Sequence, residues 1–321
     1  MKHLIASVVL CVAMTAVPGY ADAAFPEKPV RMIVPFPAGG GTDAVARILN
    51  KNLIQFWGQP VVIDNRGGAQ GSVGTAIGAK ARPDGYTVTL VIQGPLAINP
   101  HIYSNAGYDP IRDFAAVARV TEQSQVLAAN ANVPVTTLKD LIEFAKSKPG
   151  VLSFGTSAAT PQAVGELFKL ITGTNLLHVP YKGSAPAVVA LLAGEVSMVI
   201  SGATSVAPHI RSGKARGIAV FGKERNEALP DVPSALEQGY AELSDIPEWF
   251  GFAVPTGTPK DIINALNAGF VTALKDPAVQ KSIRALGLTP SPSSPQEFAQ
   301  QIRFDYERWG KIVKAVGMKL D

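Results

Sequence analysis

Apolar positions along this chain follow two periods, and the switches between them outline its elements. Val30 to Phe36 is an apolar run of strand length carrying one charge, Arg31. Val45, Ile48, Leu49 and Leu53 then recur at helical spacing on one face, and Pro60 to Asp64 returns to a strand-like run. A glycine-rich turn, Asn65 to Gly71, feeds a short helix reaching Ala81, and Pro83-Asp84-Gly85 is a tight turn into a strand from Tyr86 to Ile92. Strand, helix, strand, helix, strand in this order predicts a right-handed parallel sheet.

The middle of the chain repeats the theme. Thr137 with Asp140 three residues on predicts a capped helix over Leu138 to Lys148, ended by Pro149-Gly150, with Val151 to Phe154 as the next strand. The turn Gly155 to Thr160 leads into a helix with Pro161 at its first position and Gly173 at its close. His178 to Tyr181 reads as a strand, followed by a helix to Ala193 stopped by Gly194, and Val196 to Ser201 as a further strand bounded by Gly202. Beyond Val254 the pattern is mostly helical: Pro259, Pro277 and Pro295 each open a helix, and Gly287 and Gly317 each follow one. Crossovers placed near Val120 to Gln125 and near Ile246 to Phe252 divide the chain into two α/β lobes. The first comprises residues 24–124 and 248–321, the second residues 125–247, and the last helices are expected to pack back onto the first lobe. Ligands of open α/β sheets sit outside the carboxyl ends of the strands, here in the cleft between lobes.

Residues 1–23 stand apart from this scheme. Met1-Lys2-His3 is a basic start, Leu4 to Val17 is an apolar run too short to span a bilayer, and Ala21-Asp22-Ala23 has the small-x-small form of a signal peptidase site. Cleavage after Ala23 is predicted, and with it export. The single cysteine, Cys11, lies within the leader, so the mature chain has neither a disulfide nor a thiol nucleophile nor a zinc–thiolate cluster. Removing the leader takes away one lysine and one aspartate and leaves the net charge at +4. The basic residues are scattered singly without aromatic interleaving, which argues against a nucleic-acid surface.

The candidate chemistry centres on Pro35-Phe-Pro-Ala-Gly-Gly-Gly-Thr-Asp43, a strand end running through three glycines into a helix. Glycine lets the backbone approach a ligand closely, while the helix start offers unpaired N–H groups and its positive dipole end, so a carboxylate or phosphate fits there. The same residues offer a rival reading. Gly39-x-Gly41-x-x-Ala44, with Asp64 23 residues beyond Gly41, formally satisfies the dinucleotide fingerprint of an NAD-dependent dehydrogenase. Against it stand the export signal and Pro35 and Pro37, which stiffen the turn as that fingerprint does not require. An exported α/β enzyme acting on a small carboxylate is a further alternative, but there is no Gly-x-Ser-x-Gly elbow, and His101, His178 and His209 have no evident nucleophile partner. No His-x-x-x-His and no clustered carboxylates point to a metal, and no cofactor is expected.

Seven strings in order resemble the solute receptors of tripartite tricarboxylate transporters, the Bug receptors. They are Pro-Phe-Pro-Ala-Gly-Gly-Gly-Thr-Asp (35–43), Gly-Gln-Pro-Val-Val (58–62), Asn-Arg-Gly-Gly-Ala (65–69), Pro-Asp-Gly-Tyr-Thr (83–87), His-Val-Pro-Tyr-Lys-Gly (178–183), Leu-Pro-Asp-Val-Pro (229–233) and Pro-Thr-Gly-Thr-Pro (255–259). The resemblance implies a periplasmic, monomeric, non-enzymatic binding protein of the type II, Venus-flytrap kind, its lobes joined by two crossing strands. It implies closure on a small organic acid and delivery to membrane permease subunits.

The candidate ligand contacts are Pro37, Ala38, Gly39, Gly40, Gly41, Thr42 and Asp43 in the first seat, and Gln93 and Asn99 beyond the third strand. The second seat supplies Gly155, Thr156, Ser157 and Thr160, and later strand ends supply Tyr181, Lys182 and Ser201. Asp43 and Asn99 have alternative roles holding turns, and Lys182 as a solvated surface charge. Relatives often carry Gly-Ser and a histidine where this chain has Ala158, Ala159 and Gln162, and aspartates at Ala190 and Ser201. That departure implies a weaker grip on the far end of the ligand and fewer partners for an amine, favouring a monocarboxylate or a loosely held diacid over citrate or an amino acid; the alternative is that Thr156, Ser157, Thr160 and backbone N–H groups supply the donors instead.

Overall fold

A computed structural model describes residues 25–319 apart from residue 245, so the leader lies outside the described residues. The chain opens as β1 (Val30–Val34), α1 (Gly41–Trp57), β2 (Val61–Asn65), α2 (Ser72–Ala79) and β3 (Thr87–Ile92). β1 pairs in parallel with both β2 and β3, as the strand–helix alternation predicts. After β3 the chain makes one turn of π-helix, Gly94–Ile98, and the short helix α3 (Asn99–Ile102) before β4 (Phe114–Gln123).

A single residue, Ser124, separates β4 from β5 (Gln125–Asn130), which belongs to a second sheet. There follow α4 (Leu138–Ser147), β6 (Ser153–Thr156), α5 (Ala159–Thr172), β7 (Leu177–Pro180), α6 (Ser184–Ala193), β8 (Met198–Gly202), α7 (Ala203–Arg211) and β9 (Ala215–Phe221). The chain then returns through β10 (Glu248–Pro255) to α8 (Lys260–Lys275), α9 (Pro277–Ala285), β11 (Thr289–Pro290) and α10 (Pro295–Val316). The strand orders are β11-β4-β10-β3-β1-β2 in the first sheet and β7-β6-β8-β5-β9 in the second. The result is an α/β protein of two lobes, with the backbone crossing between the sheets at β4–β5 and at β9–β10.

Several sequence expectations shift on the structure. β6 starts two residues later than predicted and takes in Gly155 and Thr156, which pair with Val179 and Pro180 of β7. The apolar Val151 lies in the preceding turn and is 63% exposed. Pro161 is the third helical residue of α5, not the first, a position where its missing N–H still leaves no bond unmade. The last helix packs back onto the first lobe only in part. Phe298 and Ile302 of α10 share a cluster with Val91, Phe114 and Trp249. Trp309 and Val313 instead join the core that holds Phe154, Phe168 and Ile200 of the second lobe.

Candidate functional site

Four helices begin at one place. α1 starts from Gly40, α5 from Ala158, α6 from Gly183 and α7 from Gly202, and none of these four residues has a side chain able to cap the N-terminal N–H groups. The contrast is with α4, α9 and α10, which are closed by Thr137, Asp276 and Ser294. Helix starts left uncapped keep their donors and their positive dipole ends for something else. Residues of all four starts line one cavity of about 340 Å³ between the lobes. Among the described residues lining it, Lys182 is the one cation and Glu248 the one carboxyl, so its pull on an anion comes chiefly from backbone.

The first seat is locked by Asp43. Its Oδ2 accepts from the Gly39 N–H at 2.9 Å and from Arg47 Nε at 2.8 Å, and its Oδ1 accepts from Asn65 Nδ2 at 3.2 Å. Burial works against the charge, yet Arg47, the Gly39 N–H and Asn65 outweigh it and hold the carboxyl below its ordinary value. Gly39 sits at φ 84°, where a side chain is strained, so the first of the three glycines is required by the turn itself. The second glycine-rich turn supports the first: a Cβ at Gly67 would fall 2.9 Å from Pro37 Cδ.

Of the sequence candidates, Pro37, Ala38, Gly39, Gly40, Gly41, Thr42, Ser157, Thr160, Lys182 and Ser201 line the cavity. Six others lie outside its lining, each for a visible reason. Asp43 is turned back into the loop it braces. Gln93 reaches Pro247 O at 2.8 Å and Asp305 Oδ2 at 3.2 Å, both away from the cleft. Asn99 is fully buried and donates to Gln70 O and Ser72 Oγ, fastening the second glycine turn. Gly155 and Thr156 belong to β6, and the Thr156 hydroxyl pairs with His178 Nε2 at 2.7 Å. Tyr181 packs over Gly155, where a Cβ would meet its ring at 3.1 Å.

Reading along the sequence missed the floor of the cavity. Gln123 ends β4, Gln125 begins β5 and Glu248 begins β10, so three residues flanking the two crossovers meet beneath the seats. Gln123 and Glu248 face each other as partners in the antiparallel β4–β10 pair. Both amide nitrogens converge on Glu248 Oε2, at 2.5 Å from Gln123 and 3.0 Å from Gln125. Burial pushes the Glu248 carboxyl above its ordinary value, and the amides only partly offset it. Phe250, two residues on and on the same strand face, lines the cavity, whereas Trp249 points away and donates to Asp305 at 2.6 Å.

Of the residues of the rival enzyme readings, Asp64, His101 and His178 are engaged elsewhere, and His209 lies outside the cavity lining, beside a neighbouring pocket that Gly39 to Gly41 also line. Asp64 is held by Arg31 and Arg66 at 2.6 and 2.8 Å. His101 packs on the Tyr306 ring and meets Tyr306 O, and His178 is the partner of Thr156; burial lowers the pKa of both. No His/Cys/Asp/Glu group able to hold a metal occurs among the described residues.

Two lobes, two crossovers and uncapped helix starts around an interlobe cavity define a solute-binding protein of the periplasmic class. Residues 45–318 match the family described as "Tripartite tricarboxylate transporter family receptor", and the chain belongs to that family. It is 38% identical over 325 residues to the protein BugT of Bordetella pertussis, covering 100% of this chain and 99% of that one. Among solved structures it resembles an R. palustris protein with adipate, at 34% identity and a TM-score of 0.86, covering 92% of this chain and 99% of that one. MatC from Rhodopseudomonas palustris, with bound malate, matches at 30% identity and a TM-score of 0.83, over 90% of this chain and 100% of that one.

Proposed function

We propose that this protein is a periplasmic receptor that captures a small organic carboxylate between its lobes and presents it to the membrane subunits of a tripartite tricarboxylate-type transporter. The observation that carries this reading is the convergence of four uncapped helix starts on one cavity with a single lining cation. Such a site attracts an anion without fixing its identity through one charged partner. The carboxylate ligands of the two R. palustris relatives support the ligand class. The family and the leader read in residues 1–23 support the location. No helix among the described residues is long and apolar enough to cross a membrane.

The second lobe contributes three of the four helix starts, together with Ser157, Thr160 and Ser201. A distal carboxylate therefore finds donors there despite Ala158 and Ala159, and a short dicarboxylate fits this cleft as well as a monocarboxylate. A receptor rather than an enzyme is favoured because the cavity is lined by no histidine and its one carboxyl is already bound by two amides. Native mass spectrometry of freshly purified protein, followed by titration calorimetry with mono-, di- and tricarboxylates, tests the proposal. One acid bound per chain and recovered unchanged is the expected result; turnover of the acid, or no saturable binding by any of them, would overturn it.

A further inference from the structure

The floor of the cavity carries polar atoms with nothing to bind. Gln123 and Gln125 each spend their amide nitrogen on Glu248 Oε2, which leaves both carbonyl oxygens, Gln123 Oε1 and Gln125 Oε1, buried without a hydrogen-bond partner. The side chains of Gln123, Gln125 and Glu248 are more than nine-tenths buried, yet all three line the cavity. Gly202 makes room for this arrangement, since a Cβ there would fall 2.3 Å from Gln123 Oε1. Buried acceptors left empty are costly in a folded protein unless a ligand or water fills them.

We propose that Glu248, Gln123 and Gln125 form an acceptor floor that recognises a hydroxyl group on the bound acid, making the preferred ligand a hydroxycarboxylate. This rests on the receptor reading above. The helix starts hold the carboxylate; the floor, whose side chains line the same cavity, offers acceptors that a carboxylate oxygen cannot satisfy but a hydroxyl hydrogen can. An ammonium would also donate, but it would enter a cavity ringed by four positive helix ends and Lys182, which disfavour a cation and are indifferent to a neutral hydroxyl. Discrimination of this kind is strong because the analogue lacking the donor leaves buried acceptors unpaired.

Titration calorimetry on matched pairs tests the inference: propionate with lactate, succinate with L-malate and D-malate, and glutarate with 2-hydroxyglutarate, together with L-aspartate. The expected result is at least about tenfold tighter binding of the hydroxy acid in one or more pairs. Glu248→Gln, whose carbonyl turns to the two amides and whose NH2 turns to the cleft, should bring that ratio towards one. Gln125→Met, checked by thermal melting, should lower it as well. Saturable binding with no hydroxyl preference in any pair would overturn the floor and leave the receptor intact, whereas no saturable binding of any acid would overturn both. Aspartate binding tenfold more tightly than malate would identify an ammonium site and overturn the proposal as stated.

Discussion

Asp43 and Glu248 are carboxyl groups within the same small region, and their surroundings drive them apart. Asp43 is ion-paired and accepts a backbone N–H, so its charge is favoured; Glu248 has only neutral donors and burial disfavours its charge. A group whose folded value is raised contributes stability that is fully present below its ordinary value, near 4.5, and is lost as pH rises through the folded value. Glu248→Gln, which never ionises, should therefore melt higher than the parent at neutral pH. A rise of about 2 °C or more is expected, the equivalent of about 1 kcal/mol in a chain of this size. The gain should shrink as pH falls towards 4.5, where the parent carboxyl is itself protonated. Thermal melts of both proteins between pH 4 and 8 check this, and a difference that is constant with pH would show that the carboxyl is not the source. Neither role was open to a linear reading. Asp43 is visible as part of a glycine turn, but Glu248 acquires its neighbours from strand pairing across more than a hundred residues.

At the scale of elements, glycine and proline made the helix starts legible, because turns of this kind need residues with particular backbone freedom. The three glycines at the start of α1 and Gly183 before α6 mark helix starts that the structure brings to the cleft, whereas Gly202 reads only as the end of a strand and the helix α7 behind it carries no such signal. What composition hides is any element whose residues are all apolar or whose ends are small. The π-helical turn Gly94–Ile98 is wholly buried and carries no period, and β6 looks like a turn because Gly155-Thr156 closes it.

The first seat gives a clean test of the helix starts. Gly40 has φ −84° and ψ 174°, which any residue adopts, and a Cβ there would have only Pro37 O at 3.6 Å, an ordinary contact. Gly40→Val should therefore fold, with a modest loss of about 1 kcal/mol for a poor N-cap residue. Its branched side chain would stand over the open N–H groups of α1, and each charge-assisted bond lost costs about 1.5–3 kcal/mol, so carboxylate affinity should fall at least about tenfold. Calorimetry showing the same affinity within a factor of two would place the anion elsewhere.

Across the whole molecule, the lobes are held in three ways of unequal strength. The two crossovers are covalent, and α10 shares one cluster with the first lobe and another with the second, a cluster that Ala97, Ile98 and Ile102 of the first lobe also join. Opposed to these continuous connections are the thin contacts between α9 with the turn after it and the loop after β9. Arg284 of α9 pairs with Glu227 of the loop after β9, and Asn226 Nδ2 donates to Gly287 O at 3.1 Å. Both Arg284 and Glu227 are well exposed, and exposed pairs contribute about 0–1 kcal/mol. Together with one hydrogen bond worth about 1 kcal/mol, they are too weak to hold the lobes shut alone. Without ligand, then, the lobes should open about the crossovers, and an acid bound by helix starts from both sides should close them. Small-angle scattering should show the radius of gyration falling on saturation with a bound acid. Arg284→Ala should widen the unliganded form further while leaving the liganded one nearly unchanged, because the ligand then supplies most of the contact between lobes. An identical radius of gyration with and without saturating ligand, in both the parent and the variant, would show a rigid cleft and sink the clamp.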